Sequence, residues 1–492
     1  MKLHACPSTE ELLEKVDVLC VPASRERAEY IYQDLLTRII HADSLPPLTE
    51  FLAMKASPAF FFGQWNGHRV KVVYWCEAEK LTEANTYSLA KKIAIKVRTE
   101  CPGKAGLWIP HLNTSALLQS AFAGWTAGQY DLGLYKQADH NHPKSAAVDL
   151  HAFLAPGIDE ATARDGITLG LVQQEVMNLV NTPASHKSPA YLGAWAARSA
   201  AQYGYTATVL DKQDLTTLGM HALLAVNRGS EQPAVCVVTH YKHPEATQKI
   251  ALIGKGVIFD TGGISIKDSK NMHYMKSDMA GAAATLGTVE ACARLKLNVD
   301  VMAITPVTDN SIDRLAIKPG DVISSYAGKT IEVLDTDAEG RLILADALAY
   351  AVKEYKPDVM IDLATLTGSI VAALGPQAAG LFSKNDHLAS ALEAAGNSSG
   401  ERVWRMPMYD EYHDDMQSDI ADIKNLSEKP YAGSITAAKF LEYFTSEHPS
   451  WAHLDIAGMG FQPNGFGKGY CATGYGVRLL IQWMRLESWV VK

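Results

Sequence analysis

The 492-residue sequence lacks the features that mark several specialised classes of protein. No apolar run approaches the ~20 residues that a membrane-spanning helix needs, which argues against an integral membrane protein. The first fifteen residues carry scattered charges and no apolar core, so we expect no signal sequence. The seven cysteines are dispersed and form neither a CxxC pair nor a Cys/His cluster. We therefore expect a cytoplasmic protein with reduced thiols, in which any metal site is built from carboxylates.

Two motifs of common hydrolases are also missing. The sequence has no HExxH pair, which argues against a single-zinc protease, and no GxSxG elbow, which argues against a serine hydrolase. The segment NGFGKGY at residues 464–470 resembles a phosphate-binding loop, but Gly469 stands where the Walker pattern requires Ser or Thr. We interpret this segment as a turn, and His453 as a histidine of the core.

The overall charge argues against strong attraction to polyanions. The formal net charge is -9 and the isoelectric point is about 6.0. A mildly acidic protein attracts neither nucleic acid nor an anionic membrane through its overall field, although a local basic patch is compatible with an acidic total. With 47% apolar residues, the chain has enough material for the cores of more than one domain.

The order of strand-like and helix-like segments predicts two α/β domains. Residues 1–150 are predicted to form a smaller N-terminal α/β domain, and residues 183–492 a larger catalytic α/β domain. Residues 151–182 would be a linker and connecting helix. This connection follows a polar stretch at 137–146 and includes a helix predicted over 159–180.

In the catalytic domain, strand-like and helical segments alternate along the chain. The predicted elements are strands at 249–253, 299–305 and 359–363, a hairpin across 327–329, and helices at 275–295 and 341–355. Such alternation is typical of a mixed sheet flanked by helices on both faces. In the N-terminal domain, Asn66-Gly67 between two apolar runs predicts a β-hairpin. Sites in α/β folds lie beyond the carboxyl ends of the strands, so we expect the chemistry in the loops there.

Two segments of the catalytic domain carry carboxylates close to predicted strand ends. They are GKGVIFDTGGISIKDSKNMHYMKSDMAGAAA at residues 254–284 and DTDAEGRL at residues 335–342. The four acidic residues of interest are Asp260, Asp278 (in the first turns of the predicted helix), Asp337 and Glu339. Carboxylates gathered in one crevice would raise one another's pKa values unless cations neutralise them. Two divalent ions would balance the four charges, and such pairs lie ~3.5–4 Å apart in hydrolases.

Each of these residues has an ordinary structural explanation when it is considered alone. A single aspartate after a strand is usually a helix cap or a turn residue. Lys255 alone would be a solvated loop lysine, and Arg341 a surface charge near the end of a helix. The joint pattern, rather than any single residue, indicates a metal site.

Longer stretches of sequence carry a family resemblance. DTDAEGRL is similar to the signature NTDAEGRL of the leucine aminopeptidase family (M17 cytosol aminopeptidases), and residues 254–284 resemble its metal-binding stretch almost position for position. Further similar segments are LVNTPAS (179–185), DLATLTGS (362–369), SDIADIKN (418–425), AGSITAAKFL (432–441) and WAHLDIAG (451–458). The resemblance covers residues 165–485, whereas the first 150 residues resemble the family only in their general α/β arrangement.

The resemblance implies a two-metal aminopeptidase that acts on peptides with a free N-terminus. The tighter metal position would be formed by Lys255, Asp260, Asp278 and Glu339. The more exchangeable position would be formed by Asp260, Asp337 and Glu339. Lys255 can bind a metal only as a neutral amine, so the dications would have to lower its pKa. The ions would be Mn²⁺ or Zn²⁺, with Mg²⁺ as a further candidate.

The resemblance also implies roles for side chains around the metals. Lys267 would stabilise the oxyanion of the tetrahedral intermediate. Arg341 would hold a bicarbonate ion that serves as general base. The substrate cleft would be lined by Met275, Thr365 and Leu366. The free α-amine of the substrate would bind a metal, which explains exopeptidase action, and the family implies a homohexamer.

Three positions depart from the pattern of the family. Asp335 replaces the usual Asn at the head of the signature, while Ser277 and Ala280 stand where the family often has an aromatic or other residue and a Gly. The carboxylate of Asp335 adds negative charge near the metals and the pocket for the substrate side chain. As a hypothesis, we expect a relative gain for basic or polar N-terminal residues over leucine.

Three other functions fit parts of the sequence. A two-metal phosphohydrolase would use the same carboxylates, but a lysine ligand is unusual there and additional Arg or His residues would be expected. A DNA-binding role, which some bacterial relatives combine with peptidase activity, would belong to the N-terminal domain, and the acidic balance argues against it. An inactive structural member is disfavoured because every metal and catalytic position is intact.

Overall fold

The computed structural model describes residues 3–43, 45–54, 58–101, 104–137, 150–154 and 160–487. The predicted polar stretch lies outside the described residues from position 138 onwards. Within these ranges, no helix combines the length and apolar character needed to cross a membrane. The described residues divide into two units: the first ends at Leu171 and also includes 465–468, and the second holds the remainder. The predicted domain limits stay predictions.

The first unit contains a mixed six-stranded sheet in the order β1-β6-β5-β2-β4-β3. Its strands are β1 (Leu3–Cys6), β2 (Val18–Ser24), β3 (Ala59–Trp65), β4 (His68–Ala78), β5 (Ala105–Ile109) and β6 (Leu150–Leu154). Neighbouring strands are parallel except β3 and β4, which form the predicted hairpin. The turn residues Asn66 and Gly67 have positive φ values of 45° and 81°, as an Asn-Gly hairpin turn requires.

Helices of the first unit cover both faces of this sheet. They are α1 (Thr9–Lys15), α2 (Arg25–Tyr30) with a π-helical continuation (Ile31–Ile39), α3 (Leu48–Leu52), α4 (Glu83–Glu100), α5 (Ser115–Gly128) and the first part of α6 (Glu160–Asn181). Successive residues of β2, Leu19 and Cys20, belong to different apolar clusters. Because neighbouring strand residues point to opposite faces, the two clusters lie on opposite sides of the sheet.

The second unit is built on a nine-stranded mixed sheet. Its strands are β7 (Thr206–Leu210), β8 (Val235–Lys242), β9 (Lys249–Gly254), β10 (Gly256–Asp260), β11 (Asp300–Asn310), β14 (Val359–Ala364), β15 (Ala379–Phe382), β16 (Val403–Arg405) and β18 (Trp451–Asp455). The order is β16-β15-β18-β14-β9-β11-β8-β7, with β10 beside β11. The central strands β18, β14, β9 and β11 are parallel, whereas β15, β8 and β7 run antiparallel to a neighbour.

Two smaller sheets accompany the large one. A three-stranded sheet is formed by β12 (Val322–Ser324), β13 (Thr330–Glu332) and β17 (Ile423–Lys424), and a hairpin by β19 (Phe461–Pro463) and β20 (Tyr470–Ala472). β12 and β13 form the hairpin predicted across residues 327–329. The segment 464–469 joins the antiparallel strands β19 and β20, in agreement with its interpretation as a turn.

Helices pack on both faces of the large sheet. The α-helices are α7 (Pro189–Tyr203), α8 (Lys212–Leu218), α9 (His221–Val226), α10 (Ala280–Leu295), α11 (Glu339–Tyr350), α12 (Gly368–Leu374), α13 (Asp386–Ser399), α14 (Gly433–Tyr443) and α15 (Val477–Leu486). Both α10 and α11 pack on β9. Ala251 and Ile253 of β9 share a core cluster with α11, so the intervening Leu252 points to the opposite face. The predicted mixed sheet flanked by helices is confirmed.

The predicted helix over residues 275–295 is wrong at its start. Residues Met272–Ser277 form a 3₁₀ helix, and α10 begins only at Ala280. Asp278 therefore precedes the helix instead of lying in its first turns. The carbonyl oxygen of Asp278 accepts a hydrogen bond from the N–H of Val257 in β10 at 3.2 Å. That carbonyl is thus used by a strand, which interrupts the helical hydrogen-bond pattern.

Two other elements differ in length from the prediction. The strand predicted over 299–305 continues through Pro306 to Asn310. Gly256 of β10 permits this continuation, because a Cβ there would lie 2.5 Å from the carbonyl oxygen of Pro306. The helix predicted over 341–355 begins at Glu339, and its last turn is π-helical.

Candidate active site

Strands at the centre of the large sheet bring candidate residues to one edge. Lys255 follows β9 directly, Thr365 follows β14 directly, and Asp260 is the last residue of β10. β9 and β14 are parallel neighbours, so their carboxyl ends meet at the same edge of the sheet. The candidate residues therefore lie where α/β folds place their sites.

Lys255 is buried among carboxylates. Its Nζ lies 2.8 Å from Oδ2 of Asp278 and 2.9 Å from Oε1 of Glu339, and donates to the carbonyl of Thr365 at 3.0 Å. A Cβ at Gly340 would lie 2.4 Å from Cε of Lys255, so a larger residue there would displace the lysine. Burial works to lower the pKa of Lys255, but the charges of Asp278 and Glu339 outweigh it and raise that pKa.

Lys267 connects two carboxylates from separate loops. Its Nζ lies 2.8 Å from Oδ2 of Asp260 and also pairs with Oδ1 of Asp337. The other oxygen of Asp260, Oδ1, accepts hydrogen bonds from the N–H of Gly262 at 2.9 Å and from Nδ2 of Asn310 at 2.8 Å. The loop backbone and an asparagine therefore hold one oxygen of Asp260, and the other faces Lys267.

Asp278 is oriented by a hydroxyl group. Oγ1 of Thr365 donates to Oδ1 of Asp278 at 2.7 Å, while Oδ2 faces Lys255. Burial raises the pKa of Asp278 well above its usual value, against the opposing charge of Lys255. Burial thus disfavours the charged form of this carboxylate.

Three carboxylates converge closely. Asp260, Asp337 and Glu339 each offer an oxygen within 4.8 Å of the other two. Oδ1 of Asp335 accepts a hydrogen bond from the N–H of Asp337 at 2.8 Å, which fixes the turn that leads into α11. Burial, reinforced by the charge of Asp260, raises the pKa of Asp337 to about 7 and the pKa of Glu339 above its usual range.

The cluster carries more negative than positive charge. Four carboxylates face the two ammonium groups of Lys255 and Lys267, so two negative charges are uncompensated when all six groups are ionised. In the described part of the chain, Oε2 of Glu339 has no hydrogen-bond partner, and Oε1 is paired only with Lys255. Buried carboxylate oxygens without donors are costly. These residues therefore fit divalent cations, which carboxylate oxygens bind well.

Arg341 lies buried on α11, two residues after Glu339. Its Nη1 donates to the carbonyl of Asn425 at 2.8 Å, and its Nε has no hydrogen-bond partner among the described residues. Burial lowers the pKa of Arg341 to about 10, with Glu339 and Asp455 opposing the shift, so the guanidinium is charged at neutral pH. A buried guanidinium with an unused donor can bind a small anion.

The three predicted cleft residues differ in how closely they join the cluster. Thr365 belongs to it through its hydrogen bond to Asp278. Leu366 is the next residue, and its N–H donates to Oδ1 of Asp455 at 3.1 Å. Met275 is half-buried in the 3₁₀ helix, where its carbonyl accepts the N–H of Asp278 at 3.2 Å. All three are thus tied to the segments that carry the carboxylates.

Three polar residues that we did not predict also support the site. Nδ2 of Asn310 donates to the carbonyl of Thr336 at 3.0 Å in addition to Asp260. Asp455 accepts a hydrogen bond from Oγ1 of Thr367 at 2.6 Å. Asn425 accepts the Arg341 hydrogen bond. Asn425 lies in SDIADIKN and Asp455 in WAHLDIAG, so the similarity of these two segments to the family could have indicated them. Asn310 lies in none of the segments that resemble the family.

The interpretation of His453 as a core histidine is confirmed. Its side chain is fully buried on β18, and its Nδ1 lies 2.5 Å from Oδ1 of Asp362. Nε1 of Trp451 donates to the other oxygen of Asp362 at 2.8 Å. These contacts join β14 and β18 beneath the site.

Known proteins resemble the chain along nearly its full length. The catalytic-domain model of the cytosol aminopeptidase family matches residues 175–481. A probable cytosol aminopeptidase of Chlorobium limicola is 51% identical over 499 residues, covering 96% of this chain and 97% of the relative. A protein of the same description from Chlorobium luteolum is 42% identical over 496 residues, with the same coverage.

A solved structure is also similar to the chain along nearly its full length. The bottromycin maturation enzyme BotP, determined in complex with Mn, superposes with a TM-score of 0.81 at 29% sequence identity. The match covers 96% of this chain and 99% of BotP. The family match, the identities and the buried carboxylate cluster agree. The chain therefore belongs to the cytosol aminopeptidase family, whose members are metal-dependent exopeptidases of the leucyl aminopeptidase type.

Proposed function

We propose that this chain removes single residues from the free N-termini of peptides, with two divalent cations held in the carboxylate cluster. The observation that carries the proposal is the group of four carboxylates around Lys255 and Lys267, in which Oε2 of buried Glu339 lacks a hydrogen-bond donor among the described residues. Two uncompensated negative charges favour the binding of cations, and membership of a metal-dependent family supports the proposal.

Two overlapping sets of residues would hold the cations. One position would use Lys255, as a neutral amine, with Asp260, Asp278 and Glu339. The other would use Asp260, Asp337 and Glu339. Hydrogen bonds from Asn310 and Thr365 occupy one oxygen each of Asp260 and Asp278. In Glu339, Oε1 is paired only with Lys255, and Oε2 has no hydrogen-bond partner among the described residues. Glu339 is therefore suited to serve both positions. When bound, the cations would polarise the scissile carbonyl and lower the pKa of a water molecule.

Lys267 would stabilise the negative charge that develops on the carbonyl oxygen of the substrate. Its side chain is 23% exposed, so it can be reached from solvent, and its Nζ lies between Asp260 and Asp337. Burial works to lower its pKa, but the charges of Asp260 and Glu339 raise it, which keeps the ammonium group protonated at neutral pH. A fixed cation beside the reacting carbonyl favours the oxyanion.

Arg341 would hold a bicarbonate ion. The support is its buried guanidinium, whose Nε lacks a hydrogen-bond partner among the described residues, two positions along α11 from Glu339. A planar anion with two acceptor oxygens suits a guanidinium group. Bicarbonate held there would supply the general base.

The substrate would contact the residues that border the cluster, namely Met275, Thr365, Leu366 and Asp335. A free α-amine is the group that an internal peptide bond lacks, so its recognition at the acidic cluster would restrict cleavage to the N-terminal bond. Oδ1 of Asp335 is held by the N–H of Asp337. The remaining negative charge of Asp335 would favour basic or polar N-terminal residues.

Mn²⁺ and Zn²⁺ are the proposed ions, with Mg²⁺ as a third candidate. Carboxylate oxygens suit all three, but the amine of Lys255 is a nitrogen ligand, which Zn²⁺ and Mn²⁺ accept more readily than Mg²⁺ does. The related BotP structure contains Mn, which supports Mn²⁺.

A cytosolic location and a homohexamer complete the proposal. The relatives are named probable cytosol aminopeptidases, and all seven cysteines are buried. The homohexamer rests on the resemblance described above, and sedimentation of the purified chain tests it. The division into residues 1–150, 151–182 and 183–492 can be tested by limited proteolysis.

Blocking the amine of the substrate tests the exopeptidase assignment. The Mn²⁺-loaded protein should release leucine from Leu-Gly-Gly and leave N-acetyl-Leu-Gly-Gly intact. Glu339→Gln keeps the shape of the side chain and removes its charge, so it controls for contaminating peptidases and should be inactive on both peptides. Cleavage of both peptides at similar rates by the wild-type protein would contradict the proposal.

A further inference from the structure

Asn425 lies next to the carboxylate cluster although it is about 90 residues away in sequence from Asp337 and Glu339. We propose that Asn425 is a positioning residue: it holds the loop of Asp337 in shape and thereby sets the affinity of the cation position that uses Asp337. This inference rests on the proposed two-cation site and adds a residue that touches neither cation nor substrate.

The side chain of Asn425 makes four hydrogen bonds to backbone groups of this loop. Its Oδ1 accepts the N–H of Leu334 at 2.8 Å and the N–H of Asp335 at 3.3 Å. Its Nδ2 donates to the carbonyl of Asp335 at 2.7 Å, with Ala338 at 3.5 Å. The side chain is fully buried, so water cannot take over these hydrogen bonds easily. One amide group thus spans the whole turn that carries Asp337.

The three-stranded sheet brings Asn425 to this place. β17 pairs in parallel with β13, and the N–H of Asn425 continues the ladder by donating to the carbonyl of Glu332 at 2.9 Å. Oδ2 of Asp422 accepts the N–H of Thr330 at 2.8 Å, and Oγ of Ser418 donates to Oε2 of Glu332 at 2.5 Å. The segment 418–425 therefore fastens the chain just before the turn as well as the turn itself.

The other cation position is supported by different contacts. Lys255 lies at the end of β9, and Asp278 is oriented by Thr365 at the end of β14. In the described part of the chain, no hydrogen bond or ion pair joins Asn425 to any of these three residues. Loss of the Asn425 side chain should therefore act on one position and spare the other. Mutation of a residue that orients a metal ligand typically weakens metal binding by roughly 10–100-fold.

Calorimetric titration of the chelator-treated protein with Mn²⁺ tests this selectivity. The wild-type protein should bind two ions per chain, and Asp337→Ala identifies which step uses Asp337. In Asn425→Ala we expect that step to weaken by roughly 10–100-fold and the other step to stay within about twofold. Thr365→Val should show the opposite pattern, because it removes the hydroxyl that orients Asp278. Asn397→Ala, at an exposed position of α13, should change neither step.

Asn425→Asp is the second variant, because it preserves the size of the side chain and one acceptor but loses the donor to Asp335. This variant should also weaken the Mn²⁺-binding step that uses Asp337. It therefore tests the inference if Asn425→Ala does not fold. Unchanged affinities, or an equal loss in both steps, in a folded variant would overturn the inference. Binding of fewer than two Mn²⁺ ions by the wild-type protein would instead overturn the proposed two-cation site, and the inference with it.

Discussion

Nζ of Lys255 lies 2.9 Å from Oε1 of Glu339, and both side chains are almost fully buried. Lys255 follows a central strand, and Glu339 begins a helix that packs on that strand. In the cation-free protein, the Lys255 side chain is an ammonium group that neutralises part of the charge of the carboxylates. With cations bound, the same side chain would be a neutral amine that binds one of them. The same geometry therefore serves the cation-free chain and the proposed loaded enzyme.

Lys255→Met should abolish turnover and destabilise the cation-free protein. Methionine is similar in length but lacks both the charge and the nitrogen, so Asp278 and Glu339 lose their counterion. We expect the kcat/KM for Leu-p-nitroanilide to fall at least about 100-fold and the unfolding midpoint of the apo-protein to decrease. Lys212→Met, at an exposed position, is the matched control. Turnover of Lys255→Met close to that of the control would refute this role.

Asp335→Asn should shift the substrate preference towards leucine. The Oδ1 of an asparagine can accept the same hydrogen bond from the N–H of Asp337, so the change removes charge and preserves the turn. One partly screened charge is worth about 1 kcal/mol, which corresponds to roughly a fivefold change in a rate ratio. The kcat/KM ratio of Arg to Leu substrates should fall by about that factor, with Met as a neutral comparison. An unchanged ratio would contradict the hypothesis that Asp335 favours basic N-terminal residues.

Asp346→Ala should lower stability without acting on a proposed metal ligand. Buried Asp346 on α11 accepts the N–H of Leu223 at 2.9 Å and of Tyr326 at 2.7 Å. The alanine variant leaves both donors unpaired, at a cost of about 1–3 kcal/mol each. The unfolding midpoint should therefore fall clearly below that of Asp419→Ala, which changes an exposed aspartate. Equal midpoints would show that these hydrogen bonds contribute little.

His111 should make the first unit sensitive to acid. Its Nε2 donates to the carbonyl of Pro22 at 2.7 Å, and burial lowers its pKa from 6.5 to about 4. Between these two pH values the unfolded chain binds more protons than the folded one, so stability is lost as the pH falls from 6.5 to 4. The loss amounts to up to about 3 kcal/mol.

Urea denaturation at a series of pH values measures this effect. His111→Gln retains a donor for Pro22 and removes the titration, so its stability should fall less steeply between pH 6.5 and 4. His68→Gln, at an exposed position of the same unit, should follow the wild-type curve. If stability fell equally steeply with pH in the wild type and in His111→Gln, His111 would not be the source of the acid sensitivity.

Local sequence signals predicted the elements that depend on local conformation. Asn66-Gly67 specified its hairpin because few other residue pairs accept two positive φ values. The start of α10 could not be predicted in this way. Its position depends on the carbonyl of Asp278 bonding to Val257 and on the side chain bonding to Thr365, which are contacts between distant segments. Periodicity alone extends the helix through that interruption.

The site likewise combines residues with a local sequence signal and residues whose role depends on contacts between distant segments. The carboxylates and lysines follow predicted strands and lie in long motifs, so the sequence located the segments that the fold brings together. Asn310 and Asn425 were not predicted, because their importance comes from hydrogen bonds to loops 26 and 90 residues away in sequence. A single asparagine carries no local signal of such a contact.

The most direct test of the central claim is the dependence of Leu-p-nitroanilide hydrolysis on bound Mn²⁺, measured on chelator-treated protein with Asp337→Ala in parallel. Circular dichroism of both proteins confirms that they are folded. We predict that activity vanishes on chelation, returns as the second Mn²⁺ per chain binds, and stays absent in Asp337→Ala. Full activity in metal-free protein, or wild-type turnover by Asp337→Ala, would contradict the two-cation account.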